Sequence, residues 1–360
     1  MYYFLGVIMF VFFVLANVRY GKHESILKKR TFTTEKIVLY FIFFVYLIFF
    51  ILEDVQSNGD MLLYQNTYNS YADMAWQEFL GTVEETKNPL YHIKAYMFSV
   101  LGLSFYGWHA VIGFIYCLSL FYMIKKYSSN IYISVIVSIA LGSFGFALSA
   151  LRQVLALSLV IISFKYIEER KPVKFTIFVI LASLFHNTAL IFLVAYFLYS
   201  IKFKLKNILL MCVAMVIAVP FARPVVERIL PLIGAHENYY EYLESDKLLS
   251  VSGMIISALI FAFCVICLWL GKKDAKRQGL CNFAIASLFF RILSTFFVAE
   301  MFRFSLYFSI FDIILIAEAC SCGEKNKKLV RIKTFVVSLL LLAYYWISPT
   351  INITNYIFRW

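Results

Sequence analysis

Long apolar runs separated by short charged loops organise this chain. Runs at 2–18, 37–52, 105–124, 207–221, 251–271, 280–298, 303–320 and 334–348 approach the length of a helix that crosses a bilayer. None shows the ten-residue alternation of a membrane β-strand. Segment 131–166 lies between basic clusters at both ends, so it crosses an even number of times. Two helices of about 14 and 18 residues, short against the usual ~20, then turn at Gly142-Ser-Phe-Gly145. Segment 175–200 is also flanked by lysines on both sides and is too short for two full spans. A hairpin of short helices bent near Phe185-His-Asn-Thr188 fits it, and such interrupted segments occur where irregular backbone lines a polar cavity. The pattern predicts an all-α, polytopic membrane bundle of about 11–12 segments, some short or re-entrant. It forms one domain over 1–360, with two large loops at 53–104 and 222–250.

Composition agrees: 62% of residues are hydrophobic and 15% charged, with a mean hydropathy of +0.81. The net charge of +12 points to nucleic acid only until its distribution is read. Lysine and arginine cluster in short loops at 19–36, 125–126, 165–174, 202–206, 272–277 and 325–333, whereas the two large loops are acidic. This is the positive-inside pattern. It places both large loops and both termini outside and makes nucleic acid an unneeded partner. The seven cysteines avoid the acidic loops. Cys264-Val-Ile-Cys267 has redox spacing but sits in an apolar helix without polar company, so a packing role is expected. Residues 2–18 lack a basic n-region and a small-residue cleavage site and read as a retained first helix.

Against this background the ionisable residues inside apolar runs stand out. Arg152, beside Gln153, occupies Ser149-Ala-Leu-Arg-Gln-Val-Leu-Ala-Leu, where a charge costs at least about 2.5–3.5 kcal/mol unless it faces water, an acid or an anion. His186, Arg291 and Asp312 share its predicament. Arg291 and Asp312, at similar depth on adjacent spans, are expected to form a structural ion pair. Arg152, Arg303, Arg223 and Arg228 map to the outer half, where guanidinium groups suit phosphate oxygens. Ordinary contact with lipid headgroups is the competing reading. Asp60, Tyr64, Tyr68 and Tyr71 follow a three- and four-residue spacing that places an acid and three rings on one helical face. That face suits a sugar, or equally an interfacial tyrosine belt. His186 is either a base with a near-neutral reference pKa or a packing residue.

Four elements resemble the EpsG family of Wzy-type exopolysaccharide, capsule and O-antigen polymerases. They are Gly59-Asp60 with Tyr64; Arg152-Gln153 with Ala156; Phe185-His186 in Ala182-Ser-Leu-Phe-His-Asn-Thr-Ala; and Arg303 with Tyr307. Where many relatives carry an acid before the third span, this chain has Asn88-Pro89-Leu90-Tyr91. The resemblance implies a bacterial inner-membrane polymerase that joins undecaprenyl-pyrophosphate-linked oligosaccharide repeat units, with membrane lipid around it and a GT-C-like architecture as one option. Asp60 is then the first choice as base and His186 the second. Arg152, Gln153, Arg303, Tyr307, Tyr64 and Arg223 bind substrate. A flippase and a chain-length regulator are the implied partners. No cofactor or metal is expected, because the donor is already activated and the outer loops carry no DxD pair. A lipid-linked oligosaccharide flippase and a membrane O-acyltransferase are the rival readings.

Overall fold

A computed structural model describes residues 1–19, 28–84, 86–202, 251–270, 275–296, 301–322, 326–347 and 355–359, with a few isolated positions between 206 and 217 and at 353. Loop 222–250, with Arg223 and Arg228, and most of the expected span at 207–221 lie outside the described residues. The described chain is helical, with no strand: α1 (Tyr2–Arg19), α2 (Lys28–Leu52), α3 (Gly59–Ser70), α4 (Trp76–Glu84), α5 (Pro89–Val100) and α6 (Phe105–Tyr127). There follow α7 (Ile131–Ala140), α8 (Ser143–Ser149), α9 (Leu151–Glu168), α10 (Pro172–Phe185) and, after a 3-10 stretch at Asn187–Val194, α11 (Ala195–Leu198). The chain continues with α12 (Val251–Leu270), α13 (Ala275–Phe296), α14 (Met301–Ser309), α15 (Asp312–Ser321) and α16 (Lys327–Ile347).

Among the described residues, Glu35–Leu52, Phe105–Tyr127 and Lys327–Ile347 are long and apolar enough to cross a membrane, and two bent helix pairs bring the total to five. The 11–12 segments expected from hydropathy therefore include fewer full-length spans, and much of the apolar sequence forms shorter helices. Tyr2–Val18, Pro172–Phe185, Asn187–Leu198 and Gly253–Cys267 are of this kind.

Helix α7 is the centre of the bundle. All its residues are buried, as expected of a helix apolar on every face, and it packs against α1, α15 and α16. Small hydroxyls join it to its neighbours: Ser134 Oγ donates to the Ile313 carbonyl at 2.8 Å, and Ser138 Oγ pairs with Tyr46 Oη at 2.7 Å. Such groups hold membrane helices together where apolar burial gives no preference over lipid. Helices α2 and α6 approach so closely that a Cβ at Gly113 would strike the Phe50 ring.

The predicted turn in 131–166 is present but is built from two breaks. Gly142 adopts a left-handed φ of +76°, open to glycine without steric cost, and α7 and α8 meet at 53°. A second break at Ala150 (φ −100°, ψ 58°) starts α9. The chain then returns to the level where it began, with the Phe164 and Tyr127 rings 5.1 Å apart. Segment 175–200 is the expected hairpin: Phe175 packs on Tyr196 across it (5.5 Å), and Arg170 bonds Ser200 at its open end.

Two expectations need correction. Residues 303–320 do not form one upright span, because α14 and α15 meet at 43° across Ile310-Phe311. Nor do Arg291 and Asp312 form an ion pair. The two act on each other electrostatically, but the Arg291 guanidinium stacks on Phe302 at 4.4 Å, and among the described residues Arg291 Nε and Asp312 Oδ1 have no hydrogen-bond partner. The face of the guanidinium is taken by a ring of α14, and the bend sets Asp312 on the other half-helix.

The loops sort to two ends. At one, Glu318 accepts from Lys276 Nζ (3.1 Å) and Arg277 Nε (3.2 Å), and Lys276 also donates to the Tyr127 carbonyl. At the other, the C-terminal residues strap the start of the first large loop: Asp54 N–H donates to the Ile357 carbonyl (3.0 Å), Arg359 N–H donates to the Leu52 carbonyl (2.8 Å), and the Arg359 guanidinium lies 4.0 Å from the Tyr106 ring centre. Beneath the strap, Glu53 Oε2 and His109 Nε2 are 3.5 Å apart, both fully buried.

Candidate functional site

At the end of the bundle away from the basic loops, four elements meet: helix α3 of the first large loop, the start of α9, the tip of the 172–198 hairpin and helix α14. Asn58 Oδ1 accepts from Met61 N–H at 3.0 Å and caps α3. Asp60 follows in the first turn, where a carboxylate complements the helix dipole, and its side chain is exposed. One turn on, Tyr64 faces Arg152. The Arg152 Nε to Tyr64 Oη distance is 3.4 Å, and the guanidinium lies 5.5 Å from the ring centre. Asp60 and Tyr91 also act electrostatically on Arg152.

The predicted face of three tyrosines does not hold together as one binding surface. Tyr68 is buried against Phe105 (5.8 Å) and donates to the Leu103 carbonyl at 2.8 Å. Tyr71 is buried too, and its hydroxyl is bonded to Nδ1 of His92. Burial pushes both phenols up to about 12, although the charge of Arg152 opposes the shift at Tyr71. Only Tyr64 remains half-exposed beside the arginine. The spacing was right, but α5 and the turn into α6 cover one side of α3.

Arg152 owes its position to the break at Ala150, two residues earlier, after which α9 starts at Leu151. The next residue, Gln153, is buried and donates from Nε2 to the Arg303 carbonyl at 2.9 Å, fixing the backbone of α14. The Arg303 side chain is exposed. Tyr307, one turn further along α14 and fully buried, pairs through its hydroxyl with Thr188 Oγ1 at 3.1 Å. The adjacent Arg-Gln pair thus divides its work: Gln153 ties α9 to α14, and Arg152 is left facing α3.

His186 sits at the hairpin break in extended conformation (φ −156°, ψ 112°). It is 7% exposed, and among the described residues neither ring nitrogen has a hydrogen-bond partner. Arg303 and Arg152 both act on it electrostatically. Sequence reading missed two neighbours. Asn88 is buried, and its Oδ1 accepts from Asn187 N–H at 3.1 Å. His92 follows Tyr91, whose ring lies 5.9 Å from Tyr64. Burial, then the charge of Arg152, pushes the His92 imidazole down to about 4. The sequence signal for it is an imidazole and a lysine among aromatic residues in Tyr91-His-Ile-Lys-Ala-Tyr. Arg223 lies outside the described residues.

Among the described residues Arg152 has no carboxylate within ion-pair distance; the Tyr64 phenol is its side-chain contact, and Asp60 and Tyr91 act on it electrostatically. A guanidinium so placed presents donors to an anion. Cys264 and Cys267 are buried packing residues remote from this cluster.

The sequence matches the family model for the EpsG family over residues 37–358, which spans all four elements of the cluster. No curated protein and no solved structure matches the chain. The chain belongs to the EpsG family, the family of exopolysaccharide and Wzy-type polymerases, and is a membrane protein of polysaccharide biosynthesis.

Proposed function

We propose that this protein is an oligosaccharide repeat-unit polymerase. It transfers a growing chain from its undecaprenyl-pyrophosphate anchor to the terminal sugar of a second lipid-linked unit, on the extracytoplasmic face of the bacterial inner membrane. A GT-C-like arrangement, a flippase that supplies the units and a chain-length regulator belong to the same proposal. The observation that carries it is the convergence of Asp60, Tyr64, Arg152, His186 and Arg303, four sequence-distant elements of one family, at the end of the bundle away from the basic loops.

In this reading the sugar–oxygen bond to pyrophosphate breaks as the acceptor hydroxyl attacks the anomeric carbon. The hydroxyl proton passes to a base, and the negative charge on the departing pyrophosphate is held by Arg152 and Arg303. Asp60 is the better base. It is exposed, whereas an imidazolium at His186 would add a third positive charge between two arginines. Gln153, Tyr307 and Tyr64 keep the arginines in register, with Tyr64 offering a ring and hydroxyl to the sugar. Arg223, expected from the sequence to bind substrate as well, lies outside the described residues.

Deleting the gene in its host and analysing extracted lipids tests this reading. A polymerase defect leaves single lipid-linked repeat units exposed on the outer face of the membrane. A flippase defect leaves the same units on the cytoplasmic face, and an acyltransferase defect leaves polymer length unchanged.

A further inference from the structure

We propose that His92, held by Tyr71, is a second ligand for the phosphate anion that Arg152 binds, and that it takes up a proton as the anion arrives. This rests on the reading of Arg152 as the leaving-group site and extends it to a residue outside the family motifs. The contacts form an unbroken path. Arg152 meets the Tyr64 hydroxyl, Tyr64 packs on Tyr91, Tyr91 meets the edge of His92 at 5.4 Å, and His92 Nδ1 is engaged by the Tyr71 hydroxyl. That last bond fixes the ring and leaves Nε2 for a ligand.

Titratable groups come from each element packed on α5. Helix α3 supplies Tyr71, Tyr64 and Asp60, and α9 supplies Arg152. Helix α4 carries Glu78 and Glu84 and meets α5 through Phe79 on Tyr96 (4.1 Å), and α6 carries Tyr106 and His109 and meets it through Trp108 on Tyr91 (6.2 Å). On α10 the titratable side chain is Lys174, near the opposite end of that helix, and His186 follows its last residue. Lys94 lies two residues along α5. Of these groups, Arg152 is the one whose charge acts on the His92 imidazole. With the site empty, burial and Arg152 keep the imidazole neutral at pH 7. A phosphate group beside Arg152 offsets the repulsion and adds attraction, so the imidazole gains a proton from solvent and Nε2–H becomes a charge-assisted donor. The second cation is thus present only when the anion is.

The test uses the purified full chain in phospholipid-free micelles at pH 7, with inorganic pyrophosphate as probe. Calorimetry in buffers of different ionisation enthalpy gives the protons taken up on binding. Wild type is expected to take up more than His92→Gln, by up to about one proton, and to bind roughly tenfold more tightly, as for one charged hydrogen bond. Tyr71→Phe keeps the ring but frees His92, and should fall between the two. It carries the test alone if His92→Gln does not fold. Equal affinity and equal proton uptake in wild type and both variants overturn the role of His92 while leaving Arg152 as the anion site. Pyrophosphate binding that is absent, or unchanged in Arg152→Gln, overturns the anion site and His92 with it. Binding abolished in phosphatidylglycerol nanodiscs identifies a bilayer headgroup as the occupant and likewise overturns the proposal.

Discussion

Asn88 Oδ1 accepts a hydrogen bond from the backbone N–H of Asn187 at 3.1 Å, fastening the first large loop to the hairpin tip that carries His186. The donor follows a break in the helix, where a backbone N–H needs a partner from elsewhere. Asparagine supplies the acceptor oxygen here, and an aspartate carboxylate would supply the same one. The position therefore works as a clasp between substrate-facing elements, with no need for a negative charge.

That role predicts an unequal pair of variants. Asn88→Asp should keep near-normal polymer, because the acceptor survives. Asn88→Leu should cost about 1 kcal/mol of local stability, the net worth of one hydrogen bond, and should lower polymer yield at normal expression. Silver-stained or radiolabelled ladders from equally expressed variants measure it.

Arg152→Lys retains the charge but loses the planar fork that grips two phosphate oxygens. It also loses the contact with the Tyr64 ring. Polymerisation should fall at least about tenfold, the effect of a charged hydrogen bond, while thermal stability stays near wild type. A lysine variant with a normal ladder removes bidentate phosphate recognition from Arg152.

The C-terminal strap should be structural. Tyr356 Oη donates to the Phe49 carbonyl at 2.6 Å, and Glu53 bridges Phe358. Tyr356→Phe removes one buried hydrogen bond and should cost about 0.5–1.5 kcal/mol. An earlier thermal melt with unchanged polymer length is the expected result.

Orientation is tested by cysteine labelling of intact cells. Thr82→Cys in α4 and Ser245→Cys should react with a membrane-impermeant maleimide, and Ser25→Cys should stay protected. The native cysteines in the described residues are buried and add little background. Reaction at position 25 alone inverts the topology.

Much of the fold was legible because lipid leaves few solutions for an apolar chain. The reversal at Gly142 and the hairpin break at His186 followed from segment length and flanking lysines. The bend at Ile310-Phe311 did not, because no glycine or proline marks it; packing of two apolar half-helices sets it. Arg152 was visible as a charge in an apolar run, Arg303 as an arginine of the outer half, and Asp60 with Tyr64 as one face of a loop helix; the structure brings them to one end of the bundle. The covering of Tyr68 and Tyr71 was not visible, since helical spacing states which residues share a face and not what packs on it. His92 and Asn88 escaped for the same reason: their partners, Tyr71 and Asn187, are 21 and 99 residues away in sequence.

The central claim is glycosyl transfer between two lipid-linked units, with Asp60 as base. The most direct measurement reconstitutes the purified protein in nanodiscs with single lipid-linked repeat units from a deletion strain, and follows chain length together with released undecaprenyl pyrophosphate. Wild type should build a ladder and release one pyrophosphate carrier per linkage. Asp60→Asn, which keeps the shape but not the basicity, should slow this by roughly 10²–10⁴-fold, with single units left intact. A wild-type ladder from Asp60→Asn beside none from an equally folded His186→Gln moves the base to the histidine. A purified wild-type protein that makes no linkage from these units contradicts the account.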